Sequence, residues 1–305
     1  MKILSYRDID AKDGLTHLLD HAFNWVFNQK EFDNFVKIDS RLKNGPVSFI
    51  GVEKGKIIGQ VGVMDLATRT IDGDVEYVGG IYGVATLPGY TRRGICKALM
   101  DKAHDYFGGK QYRFSFLSTS PAFVAHCLYE KLGYADLFEY PSAYKVNQEK
   151  KTRAARTMKT KRLNIERLVK IYNLFVEEKT GFVIRDKAHF QTLKKIDGIK
   201  PKQCIILNNG YALLMEDKTR TLIRELVALD QAEMHRLIRM VEDRARGPIC
   251  DRAVLDSRVL EAYVNCGFTI LKRGYGVMMC KPLVSDASFK TTYGDQFYMS
   301  RLDVF

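Results

Sequence analysis

The stretch GVATLPGYTRRGICKALM, Gly83 to Met100, decides how the rest of the chain is read. An apolar, β-branched run stops at Leu87-Pro88-Gly89, passes Arg92, Arg93 and Gly94, and turns at once into an amphipathic helix. A helix entered this way presents unpaired backbone N–H groups at the positive end of its dipole. Such a terminus can hold phosphate. Gly94 lets the backbone approach an anion where a Cβ would obstruct it. Arg92 and Arg93 add charge-assisted hydrogen bonds to oxygens that the amides do not reach.

Working outward, MKILSYRDID reads as an edge strand, and LTHLLDHAFNWVFN and EFDNFVKI as short helices. VSFIGVEKGKIIGQVGVMDL predicts a hairpin turning at Lys54-Gly55, and YVGGIYGVATL a strand buried on both faces. TRRGICKALMDKAHDYF predicts a helix with Ile95, Leu99 and Met100 inward and Lys97 and Lys102 outward. Beyond it lie a strand, QYRFSFLST, a helix over PAFVAHCLYEKL opened by Ser120-Pro121, and the closing segment YADLFEYPSAYKV. That order is an α/β domain spanning residues 1–146.

Residues 147–162 carry seven Lys and Arg with few apolar residues and read as a basic, exposed linker. Residues 163–283 repeat the first half in degraded form, followed by a tail, 284–305. Val84-Ala85-Thr86-Leu87 is echoed by Val227-Ala228-Leu229-Asp230, and LYEKLGY by the Tyr263–Phe268 segment YVNCGF. The second copy passes from strand to helix without Arg-Arg-Gly, so the expectation is two copies of one fold with the phosphate loop in the first alone.

Composition narrows the function classes. With 305 residues and 46% hydrophobic content, two ordinary cores are the natural division. A net charge of +12 favours polyanionic partners such as nucleic acid, an acidic membrane surface or a phosphate-bearing cofactor. Cys96, Cys127, Cys204, Cys250, Cys266 and Cys280 form no CxxC pair and no zinc spacing, so neither a metal nor a disulfide framework is expected. MKILSYRDIDAKDG lacks an apolar leader, and no stretch approaches the roughly 20 apolar residues of a bilayer span. The expectation is a cytoplasmic protein with no membrane partner.

The run VATLPGYTRRGICKALM, then a strand, then LYEKLGY, resembles the GNAT superfamily of acetyl-CoA-dependent N-acetyltransferases, whose R/Q-x-x-G-x-G/A motif forms the pyrophosphate loop. Thr91 stands at the usual Arg/Gln and Cys96 at the final Gly/Ala. The resemblance implies an α/β fold of two tandem GNAT-like domains, each a mixed, mostly antiparallel sheet flanked by helices, the second one degenerate. It implies acetyl-CoA as cofactor, held by Arg92, Arg93, Gly94, Ile95 and Cys96 at the phosphates and by the strand backbone at Val84, Ala85 and Thr86. It also implies Tyr129 as the acid that protonates the leaving thiolate.

For the base, the family's strand glutamate is replaced here by Gly80, leaving His126 and Asp65 as candidates. The tandem arrangement with GGIYGVATLPGYTRRG is similar to the enhanced intracellular survival (Eis) type, which implies the terminal carboxylate, at Phe305, as base. The acceptor is expected to be a small-molecule or peptide amine, with Phe23, Trp25, Phe27 and Glu31 as candidate cleft residues and Asp20, Glu31 and Asp33 as the acids available for a cationic one. A homo-oligomer is compatible with the degenerate domain. The rival readings are a mycothiol-synthase-like acyltransferase and a cofactor-binding, non-catalytic regulatory or nucleic-acid-binding protein. The absence of a recognisable nucleic-acid motif argues against the last.

Overall fold

The computed structural model describes residues 1–146, 163–185, 187–196, 198–216, 219–245, 247–272 and 276–303. The first half holds β1 (Lys2–Ser5), α1 (Asp13–Phe23), α2 (Gln29–Ile38), α3 (Ser40–Lys43), β2 (Ser48–Glu53), β3 (Lys56–Arg69) and β4 (Val75–Thr86). Then come α4 (Ile95–Gly109), β5 (Phe114–Thr119), α5 (Val124–Lys131), β6 (Ala135–Glu139) and β7 (Ser142–Lys145). The second half carries α6 (Ile165–Phe175), β8 (Thr180–Gly181), α7 (Lys187–Ile196), β9 (Cys204–Ile206), β10 (Gly210–Glu216) and β11 (Thr221–Ala228). It ends with α8 (Gln231–Arg244), β12 (Ile249–Asp251), α9 (Ser257–Asn265), β13 (Thr269–Leu271), β14 (Val277–Pro282), α10 (Phe289–Tyr293) and β15 (Phe297–Tyr298).

These strands form two mixed, mostly antiparallel sheets flanked by helices, the expected α/β architecture. The first has the order β1-β2-β3-β4-β5-β14-β6, the second β13-β7-β12-β11-β10-β9. Along each of these runs one parallel pair lies amid antiparallel neighbours, β4 with β5 and β11 with β12; β8 also joins the first sheet beside β3 and carries β15 parallel to it. The sheets do not divide along the chain near residue 146. β7, from the first half, is inserted between β12 and β13, while β14, from the second half, is inserted between β5 and β6. Each half thus gives the other the same strand. Only the Tyr140-Pro141 corner separates β6, in the first sheet, from β7, in the second.

Other boundaries shift less. α1 ends at Phe23, where Asn24 adopts a left-handed C-cap (φ +52), so Trp25 and Phe27 leave the expected helix. They join an aromatic cluster with Phe32 and Tyr6. On the first sheet, α4 buries Leu99, Met100, Ala103 and Phe107 completely. Covering a side chain as large as Phe107 stabilises by roughly 1.5–3 kcal/mol. Its ring lies where a Cβ on Gly79 would come within 2.5 Å, which explains the glycine on β4: a larger residue there displaces the helix.

Candidate active site

The site begins with a gap between two strands. β4 and β5 pair only over Gly79–Ile81 and Ser115–Leu117, and beyond Ile81 they part. A bulge bends β4 there: Gln60 pairs with Ala85 and Gly62 with Tyr82, so Val61 alone opposes both Gly83 and Val84. Gly83 takes φ +54, and its carbonyl accepts a hydrogen bond from Gln60 Nε2 at 3.1 Å. Val84, Leu117, Ser118 and Thr119 wall a cavity of about 550 Å³ that opens from this fork. Ala85 is buried in the core behind it, and Thr86 pairs with Gly59.

The turn follows directly. Pro88–Tyr90 form a 3-10 turn, Arg92 (φ +59) and Gly94 (φ +75) are left-handed, and Gly94 is the N-cap of α4. No side chain caps the helix, and a Cβ built on Gly94 meets nothing within 4 Å. The glycine therefore serves the backbone conformation and leaves the front of the helix open. Arg93 bends back to Glu53 at 2.8 Å and lies over the Tyr90 ring, tying the turn to the β2–β3 hairpin. Arg92 is exposed and has no partner among the described residues. The Ile95 side chain belongs to the core, leaving its amide for any ligand. Burial pushes the partly buried Cys96 thiol up to about 11.

Tyr129 reaches the same cavity from α5. That helix begins at Val124, not at Pro121, because Ser120–Phe123 form a turn closed by Phe123 N to Ser120 O. Among the described residues the Tyr129 hydroxyl has no hydrogen-bond partner, and burial, then the neighbouring Cys96, holds its pKa well above that of a free phenol. Tyr134, close by, is by contrast fully engaged, with Ser115 Oγ at 2.7 Å and His104 Nε2 at 3.0 Å.

The candidate bases lie elsewhere. His126 Nε2 is 2.9 Å from Asp136 and faces Glu130, away from the cavity wall. His126, Cys127 and Glu130 have ligand atoms within 4.8 Å of one another, yet the imidazole is already engaged by Asp136. Asp65 accepts from Tyr106 Oη at 3.0 Å on the α4 side of the sheet. Phe305 lies outside the described residues. Of the expected acceptor residues, Phe23 lines the cavity, whereas Trp25, Phe27 and Glu31 do not. Asp33 is occupied by Tyr6 Oη at 2.8 Å, and among the described residues no carboxylate lines the cavity.

What the motifs missed is the far wall: Arg224, Arg252 and Arg301, all from the second half. One signal was visible, a charged pair, Arg224-Glu225, inside the otherwise apolar strand TLIRELVA. Charges placed there must find partners or face a cavity.

Residues 6–136 match the family model of the acetyltransferase (GNAT) domain. No curated protein matches the chain in sequence. Among solved structures, the chain resembles a GCN5-related N-acetyltransferase from Kribbella flavida, with 14% identity, 92% of this chain and 72% of that one covered, and a TM-score of 0.66. A GCN5-related N-acetyltransferase from Anabaena variabilis gives 16%, 93%, 73% and 0.60 in the same terms. Eis1 from Mycobacterium abscessus gives 16%, 85%, 73% and 0.53. With the forked strands and the glycine-led helix in place, residues 6–136 are a GNAT acetyltransferase domain, within a chain that shares the fold of these proteins over most of its length.

Proposed function

We propose that this protein transfers an acetyl group from acetyl-CoA to the primary amine of an acceptor bound in the cavity between the two sheets. The observation that carries this reading is the conjunction of three features at one place: the β4–β5 fork, an uncapped helix start led by Gly94, and the unpartnered hydroxyl of Tyr129. Acetyl-CoA would supply the acetyl group as a thioester.

The chain's residues have separable tasks. The amides from Gly94 to Cys96 would bind the pyrophosphate, helped by the exposed Arg92 and by Arg93. The backbone of β4 past Ile81, unpaired on its β5 side, is free to pair with an extended arm as an added strand would. Tyr129 would hold at Oη the proton that the departing sulfur needs, and its raised pKa keeps that proton in place across the neutral range. Among the described residues no imidazole or carboxylate lines the cavity, so the base would be the terminal carboxylate at Phe305, or else the amine would arrive neutral or give its proton to water. The rate should therefore climb as the pH approaches the amine's own pKa.

Calorimetric titration with acetyl-CoA tests the reading, on the wild type and on Arg92→Ala/Arg93→Ala. Binding that weakens about tenfold or more in the double variant supports it, since two charge-assisted contacts are removed. No binding to the wild type would end it. A chain lacking Val304 and Phe305 that keeps full activity would show that its tail takes no part in the chemistry.

A further inference from the structure

The far wall of the cavity is cationic by construction. On β10 and β11, Leu213 pairs with Glu225 and Leu214 with Ile223, so Arg224 is the extra residue of a bulge. The bulge follows directly on the parallel pairing of Thr221–Ile223 with Ile249–Asp251, much as the Gly83–Val84 bulge follows the pairing of β4 with β5. Bulges re-aim side chains. Here Arg224 lines the cavity, while its neighbour Glu225 is taken up by Arg185 at 2.7 Å and Tyr211 at 2.8 Å.

Arg252 comes from the residue after β12, and Arg301 from the 3-10 turn Arg301–Asp303. That turn is clamped from inside: Arg185 Nη2 reaches Asp303 Oδ2 at 2.6 Å, and the Ser300 amide donates to the same oxygen at 3.2 Å. The clamp holds Arg301 against two other guanidinium groups. Its Nη1 is buried and has no hydrogen-bond partner among the described residues. Burial, and then Arg252 and Arg224, press its pKa down against the pull of Asp251. Asp251 is buried and pushed up to about 6, so near neutral pH it is largely ionised and offsets part of this charge.

Where the first sheet offers bare backbone at its fork, the second offers arginine. We propose that Arg224, Arg252 and Arg301 seat a carboxylate or phosphate carried by the acceptor, so that the protein acts on amines that also bear an anionic group. This rests on the acetyltransferase reading above. Phe23 and Phe123, exposed at 48% and 64%, lie on the same cavity and would cover the carbon skeleton between amine and anion. A neutral acceptor would leave the buried guanidinium unsatisfied, which disfavours it.

Product-like probes test the proposal without requiring turnover. N-acetylglycine is titrated against N-acetylglycinamide, and N-acetyl-O-phosphoethanolamine against N-acetylethanolamine, into the full chain. At least one anionic probe should bind about tenfold or more tightly than its neutral partner, and the stronger pair identifies the anion. Arg301→Gln and Arg252→Gln should each remove most of that preference, with Arg301→Lys restoring part of it. Equal affinity for charged and neutral probes overturns the proposal, as does a preference that survives both substitutions. Probe binding that appears only in a chain lacking Val304 and Phe305 also overturns it, by making the tail the arginines' occupant. If acetyl-CoA fails to bind, the functional reading fails while this readout remains.

Discussion

The chain makes the same strand-to-helix crossing twice, and the two ends differ in what meets the first turn of the helix. Between β4 and α4 the chain takes a long turn and enters the helix at Gly94, with no side-chain cap. Between β11 and α8 only two residues intervene, and Asp230 caps the helix itself, accepting from Glu233 N at 2.7 Å. The second helix thus carries its own anion where the first leaves room for another. The paired tyrosines diverge in the same way: among the described residues Tyr129 Oη, at the cavity, has no hydrogen-bond partner, whereas Tyr263 Oη is buried and donates to Asp251 at 2.9 Å. At the helix start and at the tyrosine, the first copy keeps its polar groups open and the second has satisfied them internally. Degeneration here means closure of the bonds, with the fold intact.

Three substitutions press on that contrast. The largest effect is expected from Tyr129→Phe, which removes the open hydroxyl: kcat should fall about 100-fold or more with acetyl-CoA affinity little changed. An unchanged kcat would remove the tyrosine from the chemistry. Gly94→Asp brings to the first helix the charge the second already has. Acetyl-CoA should then bind about tenfold or more weakly in calorimetry, because a carboxylate competes for the same dipole end, and undiminished binding would place the phosphates elsewhere.

The third substitution, Asp251→Asn, probes the closed copy through pH. The folded pKa of about 6 lies above the ordinary 3.8, so the folded chain retains a proton that the unfolded chain has released. The stability this residue contributes is therefore full below the unfolded value and lost as the pH rises through the folded one. Relative to wild type, Asp251→Asn should gain stability between pH 4 and 7, on the order of 3 kcal/mol, measured by urea unfolding at each pH. A difference that stays flat over that range would show the carboxyl ionising normally.

Much of this was legible in the sequence because it is local. The Leu87–Gly94 turn, the amphipathic α4 and the apolar β4 are each specified within a few residues, and the Tyr-x-x-x-Gly-aromatic echo marked the repeat. The strand exchange was not legible. β7 and β14 are short runs whose alternation says "strand" without saying which sheet will take them, and the choice is made by slots that exist only after both sheets form. The arginine wall was hidden for a similar reason, since Arg224, Arg252 and Arg301 are brought together by a bulge, a strand end and a clamped turn. His126 illustrates the opposite failure. Its helical position beside Tyr129 put it near the site, yet Asp136, on the neighbouring strand, draws the ring away.

The strand exchange also sets an order of events during synthesis. β5 and β6 emerge from the ribosome early, but the strand that must lie between them is residues 277–282. At about 5–20 residues per second, the first sheet waits roughly 7–30 s with an unpaired slot beside β5. The first sheet is thus complete only when nearly all of this chain has been made. A ribosome stalled before β14 would release a first sheet without the strand between β5 and β6, and the interval is one in which that open edge invites pairing with another nascent chain.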